Sequence, residues 1–84
     1  MRAIVTRFVS PTNHRPARVS ATVGDKRIIL PWDHSMGTDA NHARVALSLA
    51  RSLQWEGEWI PGSLPGAGMV FVCNDYKTIQ TYWL

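Results

Sequence analysis

The sequence predicts an α+β fold, a two-layer sandwich in which one helix packs on one face of an antiparallel sheet of four to five strands. Residues 38–57 form the only segment with a sustained helical spacing of apolar residues. Shorter segments on both sides alternate in polarity or are rich in β-branched residues, and turn-forming glycine and proline separate them. The expected order is β-β-β-α-β-β, in one domain of 84 residues.

Three strands are predicted before the helix. The first, residues 3–9, is apolar and β-branched, and the turn residues 10–13 end it. The second, residues 18–23, alternates cleanly, and Gly24-Asp25 supplies the loop of a tight hairpin. The third runs over residues 26–32, and Pro31 indicates that it ends or lies at a sheet edge there. The inward side chains of the hairpin should be Val19, Ala21, Val23, Ile28, Leu30 and Trp32.

The helix is predicted from Asp39 to Gln54. Wound at about 100° per residue, it places Arg44, Ser48 and Arg51 opposite a broad apolar arc. The arc consists of Ala43, Val45, Ala46, Leu47, Leu49, Ala50 and Leu53. Asp39, or Thr38 at a shift of one residue, is the expected N-cap, and Gly57 should supply the left-handed residue at the other end.

Two further strands are predicted after the helix. The first covers residues 58–60 and should stop at Pro61-Gly62, whereas the second covers residues 69–73. The glycine-rich loop between them lacks the Gly-Lys-Ser/Thr ending of a phosphate loop, so a hairpin loop explains its glycines. Residues 78–84 alternate enough to form an added edge strand or an ordered tail.

A single helix covers only part of such a sheet, so the second face must be polar or contact something else. Ile4, Phe8, Ile29 and the strand-end tryptophans are the candidates for that face. Exposed together, they would form the kind of apolar patch that marks an interaction site or a homodimer surface.

Composition limits the class of protein. The net charge of +3 and a pI near 9.6 favour mild attraction to acidic surfaces, with one basic cluster at Arg15, Arg18, Lys26 and Arg27. The single cysteine, Cys73, rules out a disulfide framework and should be a buried, inert thiol. The apolar runs are too short to span a bilayer, and early charges argue against a signal peptide, so a cytoplasmic location without membrane contact is expected.

Several polar residues near the start of the helix could carry chemistry. Asp33, His34, Asn41 and His42 flank it, and His14 offers a third imidazole, but they lack the spacing of a known metal site. The preferred interpretation is that Asp33, Asn41 and His42 satisfy backbone groups where the loop meets the helix. No strand-to-helix elbow holds Ser35 as a nucleophile, and no pair of carboxylates stands out. We therefore expect no enzyme, cofactor or metal.

Nucleic acid is the alternative partner. The basic cluster could form a stripe with Arg44 and Arg51, and aromatic residues could add base stacking. The competing explanation is a solvated polar face whose arginine stems cover apolar surface. A small basic nucleic-acid-binding module should lose affinity steeply as salt rises.

Five segments resemble small uncharacterised proteins encoded by bacteriophages and other mobile elements. They are Pro11-Thr12-Asn13-His14-Arg15-Pro16-Ala17-Arg18, Leu30-Pro31-Trp32-Asp33-His34, Asn41-His42-Ala43, Leu53-Gln54-Trp55 and Val70-Phe71-Val72. Those relatives more often read Pro-Thr-Asn-x-Arg-Gly-Ser-Arg in the first segment and tyrosine before Asp-His in the second. Pro16-Ala17 and Trp32 depart from that pattern.

In size and style the chain is most similar to inhibitors of bacterial CRISPR-Cas defence. The resemblance implies a non-enzymatic accessory protein that binds and inhibits a host macromolecular complex in the bacterial cytoplasm, with a CRISPR-Cas surveillance complex as one candidate target. The expected contacts are Arg15, Arg18, Arg44 and Arg51, with Trp59 or Trp83 as an aromatic anchor. Self-association as a homodimer stays open.

Overall fold

The structure, a computed structural model, describes residues 2–66 and 68–74. This part of the chain contains β1 (Ala3–Val9), β2 (Arg18–Val23), β3 (Lys26–Pro31), α1 (Thr38–Ser52), β4 (Glu58–Ser63) and β5 (Gly68–Asn74). All strand pairs are antiparallel, and the strands lie in the order β3-β2-β1-β5-β4. The predicted α+β sandwich and its element order are confirmed. The strand or tail predicted for residues 78–84, including Trp83, lies outside the described residues.

The register around the central strand β1 decides which side chains face the helix. Thr6 lies opposite Ala21 of β2 and Met69 of β5. Because paired residues of neighbouring strands point to the same face, these positions and their alternate neighbours share one side of the sheet. Beneath the helix they form a core with its small and aliphatic residues, composed of Ile4, Val19, Ala21, Val45, Ala46, Leu49, Ala50, Met69 and Phe71.

Three apolar placements differ from the prediction. Ile4, expected on the second face, is fully buried in the core, and Phe8 also lies on the helix side, with its ring edge-on to Trp32 at 5.1 Å between centroids. Leu47, expected in the buried arc, is 39% exposed. Of the described candidates for the second face, Ile29 alone occupies it, because its partner in the register is Ser20. The strand-end tryptophans Trp32 and Trp59 pack against the core instead.

The helix begins without the predicted cap. Gly37 is the N-cap in an extended conformation, and no side chain caps the first turn, so the assignments to Asp39 and Thr38 are wrong. One turn further on, the side-chain amide of Asn41 donates to the Gly37 carbonyl oxygen at 3.1 Å. The loop is therefore held from inside the helix rather than by a residue at its end.

The helix also ends before the predicted glycine. Gln54, with φ of 58°, is the left-handed residue, and its N–H donates to the Arg51 carbonyl at 3.0 Å. The next N–H, of Trp55, donates to the Ala50 carbonyl at 2.9 Å, which completes a Schellman motif. Gly57 lies beyond it, where a β-carbon would come within 3.0 Å of the Cys73 sulfur.

Strand β4 continues through the residue expected to stop it. Pro61 lies opposite Phe71, and pairing extends to Ser63. A proline is tolerated because β4 is an edge strand whose outer side needs no N–H donors. At the opposite edge β3 ends at Pro31, one residue before the predicted end.

Candidate functional site

One side of the sheet faces away from the helix, and we call it the open face. The strand registers place on it Ala3, Val5, Arg7, Val9, Arg18, Ser20, Thr22, Arg27, Ile29, Glu58, Ile60, Val70 and Val72. Within residues 2–66 and 68–74 no element packs over it. Val5, Val70 and Val72 are half-buried at its centre, while Ile29 is 37% and Ile60 55% exposed. For the part of the chain that the structure describes, the result is an aliphatic surface that no other element covers.

Arginines accompany the aliphatic residues of the open face. Arg7, Arg18 and Arg27 come from three adjacent strands, and Glu58 is the one acid that the described residues contribute. The Arg7 guanidinium lies over Gly68, since a β-carbon there would be 3.1 Å from its Nη1 atom. The open face is therefore basic, and its charge complements an acidic surface.

The structure does not bring the predicted contact arginines together. Arg18 lies on the open face, whereas Arg15 is exposed in the loop between β1 and β2. Arg51 is exposed near the end of the helix. Arg44 is half-buried and donates through Nη2 to the Pro31 carbonyl oxygen at 2.5 Å, so it ties the helix to the end of β3. The arginines predicted as contacts are thus divided between two sides of the domain.

The tryptophan predicted as an anchor belongs to an aromatic cluster at the end of the helix. Trp59 is half-buried against the core and stacks on Trp55, with ring centroids 6.3 Å apart. The Arg2 guanidinium lies 4.9 Å from the centre of the Trp55 ring, within the range of a cation–π contact. The aromatic surface of Trp59 is therefore shared with neighbours of its own chain.

The polar residues before the helix form a loop anchor, which confirms the interpretation for Asp33 and Asn41. The Asn41 side chain, fully buried, accepts from the Asp33 N–H and donates to the Asp33 carbonyl oxygen, both at 2.9 Å. The Ser35 hydroxyl and N–H donate to the Asp33 carboxylate and lower its pKa. Among the described residues, no group of three His, Cys, Asp or Glu side chains could hold a metal ion.

His42 has a different role from the one predicted. Its side chain is only 2% exposed, and Nδ1 lies 2.6 Å from the Oγ1 atom of Thr6, a fully buried residue of β1. The ring meets Trp32 edge-on at 6.1 Å. Burial lowers the pKa of His42, and the nearby Asp39 carboxylate opposes that shift. The one signal in the sequence is that polar Thr6 alternates with apolar Ile4 and Phe8, on a side of β1 that the sequence pattern assigned to the second face.

A cavity of about 370 Å³ opens beside this histidine, between the start of the helix and the β4–β5 connection. We call it the His42 pocket. Its walls include Phe8, Trp32, Asp39, His42, Leu64 and Met69. Its volume falls in the range of about 300–1,000 Å³ that is usual for small-molecule sites. The open face and the His42 pocket are thus two separate candidate sites, on opposite sides of the sheet.

The buried histidine should make stability depend on pH. Because the pKa of His42 is lowered in the folded chain, this side chain takes up a proton at a higher pH in the unfolded chain than in the folded one. Stability should therefore fall as pH drops through the ordinary value of 6.5 and level off below the folded pKa. Urea unfolding of the wild type between about pH 8 and pH 5 measures this slope. The exposed His34 serves as control, so His34→Gln should keep the slope, and a wild-type profile without it would contradict the assignment.

Comparisons with protein-family models, with curated proteins and with solved structures find no match to this chain. No helix in the described part of the chain has the length and apolar character needed to cross a membrane. The fold is that of a small α+β domain, and within residues 2–66 and 68–74 one face of its sheet carries no helix.

Proposed function

We propose that this protein is a non-enzymatic binding protein that inhibits a host macromolecular complex by docking its open face on an acidic, partly apolar protein surface. The observation that carries the proposal is the open face itself, where aliphatic residues from four of the five strands share one surface with three arginines. Sequence resemblance makes a CRISPR-Cas surveillance complex in the bacterial cytoplasm the first target to test.

The composition of the open face suits a protein partner. Protein interfaces bury an apolar centre within a polar rim, and arginine is among the residues that contribute most to binding. Val5, Val70 and Val72 supply such a centre, Arg7 follows Val5 on the same face, and Arg18 lies further along it, opposite Val9. Acidic side chains of the partner would pair with these arginines and also speed association.

Two other partners fit the open face less well. Proteins that bind single-stranded nucleic acid use aromatic platforms, and the described residues place no aromatic side chain on this face. A two-fold dimer through the same face would bring two basic surfaces together, which like-charge repulsion disfavours.

A matched pair of substitutions tests the proposal. Ile29 on the open face and Leu47 on the outer side of the helix are 37% and 39% exposed, so glutamate at either position should perturb stability to a similar, small extent. Ile29→Glu should weaken binding to a purified CRISPR-Cas surveillance complex about tenfold or more, because it puts a charge into the apolar part of the interface. Leu47→Glu should bind like the wild type. Calorimetry measures the affinities, and circular dichroism checks the folding of both variants.

The remaining outcomes decide between partners. Equal affinity of the two variants, or loss of binding in Leu47→Glu alone, would remove the open face from consideration. If the purified complex does not bind, the same pair is compared in pull-downs from the native host. If nuclease treatment releases the bound material and the affinity falls steeply as salt rises, the partner is nucleic acid rather than protein.

A further inference from the structure

We propose that the His42 pocket binds a small aromatic molecule that donates one N–H or O–H hydrogen bond to the Nε2 atom of His42. This site goes beyond the proposed function, because it lies on the helix side of the sheet, opposite the open face. Each site can therefore be tested while the other is left unchanged.

The hydrogen bonds around Thr6 determine which nitrogen of His42 accepts. Thr6 Oγ1 lies 2.6 Å from Nδ1 of His42 and 3.4 Å from the Met69 carbonyl oxygen. A carbonyl oxygen can only accept, so the arrangement that uses both contacts has the hydroxyl donating to Met69 and Nδ1–H donating to the hydroxyl. In this tautomer Nε2 is an acceptor.

The accepting nitrogen is available to a ligand. Among residues 2–66 and 68–74, no group donates a hydrogen bond to Nε2, and His42 lines the pocket. The enclosed side-chain atoms that lack a partner in this part of the chain are Arg18 Nε and Arg44 Nε, and Nε2 is not one of them. A donor brought by a ligand would supply the missing partner.

The walls of the pocket select an aromatic ligand without negative charge. Phe8, Trp32, Leu64 and Met69 provide apolar and aromatic surface, on which a flat ring packs well. Asp39 lines the same cavity, and its carboxylate disfavours a ligand that carries a carboxylate or phosphate. A one- or two-ring compound with a single donor matches both the chemistry and the volume.

Indole and benzofuran form a matched pair of probes, since they share a shape and only indole carries an N–H. The ¹⁵N-labelled full chain is titrated with each at about pH 7.5, where a histidine with a lowered pKa is neutral. Indole should bind about tenfold more tightly and shift the amide signals of Phe8, Trp32 and His42. Equal binding of the two probes, binding of neither, or shifts located elsewhere would overturn the proposal.

Two further measurements keep the test independent of any one variant. His42→Phe keeps a ring but removes the acceptor, so the preference for indole should vanish, whereas the exposed control His34→Phe should keep it. If His42→Phe does not fold, the ¹⁵N chemical shift of Nε2 is measured in the wild type instead, because it shows whether this nitrogen carries a proton. An unprotonated Nε2 at neutral pH that gains a hydrogen bond from indole supports the site, and a protonated one overturns it.

The donor could come from a free metabolite or from an aromatic side chain of another protein. N-acetyltryptophanamide separates these sources, because it carries the same indole ring with peptide groups attached. Binding of both compounds indicates that a tryptophan side chain can enter the pocket, and binding of indole alone indicates a free small molecule.

Discussion

Replacing Leu49 with alanine is expected to lower the free energy of unfolding by about 2–5 kcal/mol. Leu49 is 2% exposed and belongs to the core between helix and sheet, so the change removes buried methyl groups and leaves a cavity. A domain of this length has roughly 4–13 kcal/mol of stability in total. Urea denaturation followed by circular dichroism should therefore show a much lower midpoint.

Leu47→Ala is the matched control for this prediction. The same side chain is removed two residues away, but from a position that is 39% exposed. We expect a loss of less than about 1 kcal/mol, because little buried surface is involved. Equal losses in the two variants would show that the helix does not contact the sheet through the face described here.

The strands could be predicted because their signals are local. β1 and β2 have the predicted bounds, since alternation with a period of two and the turn at Gly24-Asp25 need no information from distant residues. The orientation of β1 was harder to predict. Both of its faces carry aliphatic residues, with Ile4 on one and Val5 on the other, so alternation alone could not say which faced the helix.

The errors at the helix arose where a general rule competed with a specific contact. A helical projection counts Leu47 with the apolar arc, but the helix lies mainly against β2, β1 and β3, and that contact surface is narrower than the arc. Capping rules favour Asp39 at the start of the helix and Gly57 at its end. In the structure the Asn41 side chain holds the preceding loop, and Gln54 is the left-handed residue at the end. Local propensity predicts neither of these two roles.

The candidate sites depend on contacts between distant parts of the chain. Thr6 and His42 are 36 residues apart, and no spacing rule connects a strand residue with a helix residue at that distance. Arg7 and Arg18 could be placed on one face only after β1 and β2 were aligned. Sequence patterns grouped Arg18 and Arg27 with other basic residues but did not include Arg7, whereas the strand register places all three arginines on one face.

Replacing Asn41 with alanine should cost about 2–4 kcal/mol, the second large effect expected. The Asn41 side chain is fully buried and makes hydrogen bonds to the backbone of Asp33, Met36 and Gly37. Alanine would leave the Asp33 N–H and three carbonyl oxygens without that partner, and water could reach them only if the loop moved. Thermal unfolding should show a midpoint lower by roughly 10–25 °C, at about 4–8 °C per kcal/mol for a small domain.

Asn13→Ala, in the exposed loop after β1, is the control and should change the midpoint by no more than about 2–3 °C.

The Asn41 variant has a second expected effect, because His42 follows it directly and its ring position depends on where the helix starts. Loosening that start should weaken the Thr6–His42 contact and flatten the pH dependence of stability. If Asn41→Ala lowered the midpoint but kept the full pH dependence, the loop and the buried histidine would be independent units, and the Asn41 amide would act on the loop alone.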